Sequence, residues 1–248
     1  MQEYIEILEK VKKLIEYHNE GILGGEVMPE DSNPQLEKGS EKNYIYFTLP
    51  MSLNYQRNSY TLWKAALQTF NDSDTKDVFC PQKVVDMSFT ELQERLTKYK
   101  VALQKNKQTD IWLTISDTIV DKFQGDIRNL FRWNEYDVIK IKEYIKQNKK
   151  KFPYLAGPKI SNYWLYVMSN YTDAKLKNVK KITIAPDTHI IQSSIRLGVI
   201  TEDQIKMGNF RERISEKWDT ILEGSGINPI DVHTPLWLWS RNGFKQNV

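Results

Sequence analysis

Residues 2–18 place Tyr4, Ile7, Leu8, Val11, Leu14 and Ile15 three and four positions apart with glutamates and lysines between them, which predicts an amphipathic helix. The pattern breaks from Gly21 to Lys42, where Gly24, Gly25, Pro29, Pro34 and many charged residues predict an exposed loop or linker. Tyr44 to Leu49 (YIYFTL), closed by Pro50, is a β-favouring run and predicts a short strand. From residue 60 onward the spacing is helical. Segments are predicted over 60–70 around Trp63 and Leu67, and over 88–104, where Ser88 and Glu91 form a capping box. Further helices are predicted over 109–123, 126–133 and 135–149, the last with Val138, Ile141 and Ile145 on one face opposite lysines. There is no internal repeat and no low-complexity tract. The pattern predicts a mainly α protein with at most a small β element near the N-terminus.

At 248 residues and 40% hydrophobic content the chain can bury a substantial core. Thirty-five basic against 32 acidic residues give a net charge of +3, which permits a nucleic-acid partner without demanding one. The single cysteine, Cys80, excludes a disulfide within these residues, and also a four-cysteine iron–sulfur cluster or zinc ribbon. Cys80, His18 and His189 make no metal-ligand spacing, so neither metal nor cofactor is expected. No apolar run approaches the roughly 18 residues that cross a bilayer, and the opening MQEYIEILEK is charged and amphipathic instead of a signal sequence. The expectation is a monomeric, cytoplasmic protein with no membrane partner.

The densest chemistry lies after residue 147. Three lysines, Lys149 to Lys151, lead into Phe152-Pro153-Tyr154-Leu155-Ala156-Gly157-Pro158-Lys159-Ile160-Ser161-Asn162, followed by an aromatic helix through Trp164, Leu165 and Met168. Pro153 stops one helix, Gly157 supplies a turn open to close approach, and Pro158 suits the first position of the next. Such a hairpin points backbone N–H groups of Gly157 and its neighbours at a phosphate, with Lys151 and Ser161 beside them. Downstream, the apolar run Ile182 to Ala185 ends in Pro186-Asp187-Thr188-His189-Ile190, with Arg196-Leu197-Gly198 shortly after. An aspartate in that place is also a favoured helix N-cap.

FPYLAGPKISN resembles the hairpin of the helix-hairpin-helix DNA glycosylases of the endonuclease III type, although Leu155 stands where their pattern has its first glycine. Asp187-Thr188-His189 resembles their aspartate signature, in the same order along the chain. The resemblance implies a two-lobed helical fold, with 60–199 as one lobe and 1–59 joined to 200–248 as the other. It also implies excision of a damaged base from double-stranded DNA by a prokaryotic, nucleoid-associated repair enzyme. The absence of cysteines for a cluster points to the 8-oxoguanine glycosylase/AP lyase branches, the archaeal type among them, and to 8-oxoguanine as the base.

Breaking an N-glycosidic bond builds positive charge on deoxyribose, so a fixed carboxylate such as Asp187 stabilises the transition state. An amine such as Lys159 captures C1′, and the Schiff base so formed permits β-elimination. Lys159 and Asp187 are therefore the candidate catalytic pair. Gly157, Lys151, Ser161 and Arg196 are the candidate contacts to the DNA backbone. Gln56, in Asn54 to Asn58, and His233 and Trp237, one helical turn apart, are candidates for the base pocket. Three other readings stay open. In a non-catalytic DNA-binding protein, Lys159 touches phosphate and Asp187 only caps a helix. A monofunctional glycosylase for another lesion needs no lysine nucleophile. Trp237 and Trp239 also suit a buried core.

Overall fold

The computed structural model describes residues 2–24 and 28–248, and Gly25 of the expected linker lies outside them. Among the described residues the chain forms twelve α-helices and no strand, and the only extended pairing is an isolated bridge between Asp137 and Lys177. The chain divides into two compact units, Val27–Asn178 and Met1–Glu26 with Val179–Val248. These bounds replace the expected divisions after residues 59 and 199.

The middle unit runs from a 3-10 turn at Pro29–Asp31 through α2 (Glu41–Ser52), α3 (Ser59–Asn71), α4 (Pro81–Asp86), α5 (Phe89–Lys98), α6 (Lys105–Phe123), α7 (Arg128–Trp133), α8 (Val138–Gln147) and α9 (Pro158–Tyr171). The expected strand at Tyr44–Leu49 is instead the body of α2. Ser40 caps that helix by accepting from the Asn43 amide, and every residue from Asn43 to Ser52 is buried. Each side of α2 meets a different aromatic: Tyr44 packs edge-on to Phe131 with centroids 5.5 Å apart. Tyr46 stacks on Phe79 at 5.4 Å, and Phe47 meets Trp63 at 5.6 Å and Tyr171 at 5.1 Å. A helix enclosed on all sides has no polar face, so its sequence loses the 3.6-residue period and leaves only the β-favouring residue types to be read. This burial also explains why the segment belongs with the middle unit.

Two helix ends shift for local reasons. The helix expected over 88–104 stops at Lys98, and Lys100 follows with a left-handed φ of 64°. Only half of its capping box forms: Ser88 accepts from the Glu91 amide, while the Glu91 carboxylate pairs with Arg95 at 2.8 Å. The helix expected from 135 starts at Val138, because Glu135 and Tyr136 are both left-handed and Asp137 caps it.

The terminal unit contains α1 (Gln2–Asn19), α10 (Thr188–Arg196), α11 (Phe210–Leu222) and α12 (Pro229–Arg241). Ile7, Val11 and Leu14 form the buried stripe of α1, which lies against α11 and α12, while α10 packs along α12. Two buried polar contacts tie these helices: the Trp218 indole donates to Ser194 Oγ at 2.9 Å, and the Ser193 hydroxyl donates to Leu236 O at 2.7 Å. The last residues fold back on the first. The Trp239 indole donates to Gln246 O at 2.9 Å, the Gln246 amide to Ile22 O at 2.9 Å, and Lys13 Nζ to Asn247 O at 3.0 Å. No helix among the described residues is long and apolar enough to cross a membrane.

Candidate catalytic and nucleic-acid site

In the middle unit, α8 and α9 are joined by a tight connection over 148–157 that carries the lysine triplet. Its last three amides are satisfied within the turn: those of Leu155, Ala156 and Gly157 donate to the carbonyls of Pro153, Phe152 and Tyr154 at 2.8, 3.0 and 2.9 Å. This corrects the expectation that the Gly157 amide faces a phosphate. The glycine's φ is −68°, and the left-handed residue of the turn is Tyr154, with φ 61°. What favours glycine at 157 is crowding, since a Cβ there would lie 3.1 Å from Tyr154 O. Pro158 opens α9 with no side-chain cap, so the amides of Lys159 and Ile160 head the helix without intrahelical acceptors. They, rather than Gly157, supply the positive end of the helix.

Lys159 is exposed on the first turn of α9, and Lys149 and Lys150 are exposed on the approach to it, with Lys151 partly covered. Ser161 does not share this surface. It is 3% exposed and its hydroxyl donates to Pro158 O at 3.2 Å, so its expected role as a side-chain phosphate contact is withdrawn. Beside the connection, Tyr154 meets Tyr55 with centroids 5.0 Å apart, and the Lys107 ammonium lies over both rings at 5.1 and 5.8 Å. Gln56 follows Tyr55 as an exposed residue with φ 48°, in a bend of the chain.

Sequence reasoning missed a carboxyl in this unit. Glu30 is completely buried; its Oε2 accepts from the Tyr163 hydroxyl at 2.7 Å, and its Oε1 has no hydrogen-bond partner. Burial pushes its pKa up to about 7, against the smaller opposing effect of the Tyr163 bond. The neighbouring Asp31 accepts from Tyr171 at 2.7 Å, so two carboxyls of one short turn grip two tyrosines of α9. Nothing in the sequence marks Glu30, since a lone acid in a polar segment reads as solvated.

In the terminal unit, Asp187 is the N-cap of α10. Its Oδ1 accepts from the Ile190 amide at 3.0 Å, which fixes the carboxylate against the helix start. Arg196 is exposed at the other end of α10, with its guanidinium 5.9 Å from the Phe244 ring centre. His233 and Trp237 are one turn apart on α12 as their spacing requires. Trp237 and Trp239 are 9% and 3% exposed, so both serve as core. Trp237 is nevertheless not enclosed by aliphatic groups alone: the His189 ring meets it edge-to-face at 5.0 Å, and the Arg241 guanidinium lies over it at 5.1 Å.

Lys159 thus belongs to the middle unit and Asp187 to the terminal unit, each at the start of a helix. Among the described residues no group of three or more His, Cys, Asp or Glu side chains could hold a metal ion. Comparison with protein-family models and with curated proteins gives no match.

Proposed function

We propose that this protein is a helix-hairpin-helix DNA glycosylase with AP lyase activity, which removes a damaged base and nicks the strand. The observation that carries the reading is the pair of helix starts: Gly157-Pro158-Lys159 at the head of α9 after a lysine-rich tight turn, and Asp187 capping α10. The exposed lysines and the amides of Lys159 and Ile160 at the helix head favour a phosphate chain. The Lys159 amine attacks C1′ as the base departs, and the Asp187 carboxylate stabilises the positive charge that builds on the sugar. Water is not needed as the nucleophile, because the amine itself becomes the new substituent of C1′.

The test is a panel of duplexes, each with one lesion, 8-oxoguanine first. Base release and strand nicking are resolved after incubation with the protein. Release from one lesion with a borohydride-trapped adduct supports the reading; no release from any lesion overturns it. One observation favours a second reading, a non-enzymatic DNA-binding protein: the Asp187 carboxylate already has structural work as an N-cap. Lesion-independent affinity without base release would select it.

A further inference from the structure

Three segments of the middle unit meet at one exposed spot: Tyr55 between α2 and α3, Tyr154 between α8 and α9, and Lys107 in the first turn of α6. The two tyrosine rings stand 5.0 Å apart at 58°, and the Lys107 ammonium lies over both. The segments are fastened to one another from below. Gln108, 2% exposed, donates to Leu53 O at 2.9 Å and accepts from the Gln104 amide at 2.9 Å. The Arg57 guanidinium donates to Val101 O at 2.7 Å and to Lys100 O at 2.9 Å. The bend that carries Tyr55 is therefore tied to the start of α6, and Tyr154 is held in its turn by the Gly157 amide. Yet the rings are not core. Tyr55 is 39% exposed, Tyr154 is partly exposed and Lys107 is exposed.

Charge says what the rings face. The chain holds 32 acidic residues, but none falls in 42–71, 95–109 or 144–172, the stretches that supply this spot. The same stretches hold Lys105, Lys107 and the triplet Lys149 to Lys151. Fixed, solvent-reached aromatic rings among cations suit a polyanion that also has flat apolar parts, which is the chemistry of a nucleic-acid strand. A base inside a duplex has both faces covered by its neighbours, so only an unpaired base has a face to give. We infer that Tyr55 and Tyr154 form a stacking platform for an unpaired base of a DNA strand, with Lys107 and the lysines of the α8–α9 connection along its phosphates. The inference rests on the DNA-binding part of the reading above and on none of its chemistry.

Two measurements test the platform. In the first, fluorescence anisotropy follows binding of a thymidine oligonucleotide, alone and as a blunt duplex with its complement. Replacing Tyr55 and Tyr154 together by alanine is expected to weaken single-strand binding about tenfold or more, as loss of a stacked base does, and to leave duplex binding within about twofold. Tyr55→Phe with Tyr154→Phe keeps both rings and is expected to hold single-strand affinity within a few-fold. Wild-type single-strand affinity in the alanine pair overturns the inference, as does an equal loss on both DNAs or an equal loss in the phenylalanine pair. Failure of the wild type to bind either DNA removes the DNA-binding reading and the platform with it. The second measurement needs no variant: a single strand carrying iododeoxyuridine is irradiated on the wild-type protein and the crosslinked peptide is sequenced. Crosslinks at Tyr55 or Tyr154 are expected, and crosslinks confined to other residues overturn the inference.

Discussion

The Tyr163 hydroxyl, one turn beyond Lys159, donates a 2.7 Å hydrogen bond to the buried carboxyl of Glu30. The bond ties the head of α9 to the segment before α2, and it does so through a group whose charge changes near neutral pH. A folded-state pKa of about 7 against an ordinary value of 4.5 means the folded chain holds a proton that the unfolded chain has lost between those pH values. This group's contribution to stability is therefore greatest below pH 4.5 and declines as pH rises towards 7, by roughly 3 kcal/mol in all at 1.36 kcal/mol per pH unit.

Glu30→Gln keeps the shape and stays neutral, so it should stabilise the protein at pH 8 by on the order of 2–3 kcal/mol relative to wild type and change little at pH 5. Denaturant unfolding at the two pH values measures the difference. An equal effect at both would show that the carboxyl does not change charge in this range.

The role of Asp187 divides into a cap and a charge. Asparagine caps nearly as well as aspartate, so Asp187→Asn should cost well under about 1 kcal/mol of stability, while Asp187→Ala should cost about 1 kcal/mol. Base release should fall by at least about a hundredfold in both if the charge faces the sugar. Thermal unfolding together with single-turnover release separates the two contributions, and full release by Asp187→Asn would leave the residue a cap alone.

Because the Gly157 amide is already bonded to Tyr154 O, Gly157→Ala should leave DNA affinity within about twofold while costing up to about 1 kcal/mol of stability through the crowded carbonyl. Replacing Lys149 and Lys150 together by alanine should instead weaken binding to any duplex. It should also reduce the salt dependence of log K by about 0.9 for each phosphate that is no longer neutralised. Fluorescence anisotropy over a salt series distinguishes the two, and a large drop in affinity on Gly157→Ala alone would restore the glycine as a phosphate ligand.

Lys159→Gln should abolish the borohydride adduct and leave duplex affinity within a few-fold, since an exposed side chain of similar size is exchanged at a helix start. Gel analysis of the trapped product decides it: adduct at wild-type level would assign the nucleophile to another amine.

The legible parts of this fold were those where a helix has one wet face. The stripes of α1, α3, α6 and α8 keep their period because one side of each faces water, and the N-caps Ser88 and Asp187 were visible as residue types in place. Sequence reasoning failed at α2, where burial on every side removes the period, and at the division of the chain, which depends on α2 and α10 finding partners far away in sequence. The candidate site was legible as residue types at helix starts. What was hidden is how donors are already occupied: the Gly157 amide, the Ser161 hydroxyl and the paired tyrosines on Glu30 and Asp31 all depend on distances that spacing does not carry.

The terminal unit is assembled from both ends of the described chain, and that has a consequence for synthesis. The middle unit is contiguous, so all of its parts exist once residue 178 has been joined. Helix α1, made before the middle unit, holds Ile7, Val11 and Leu14 for a partner, α12, that starts only at residue 229. During translation the first helix therefore waits with its apolar stripe uncovered while the middle unit completes, and α1 is the segment for which a nascent-chain chaperone has a binding surface.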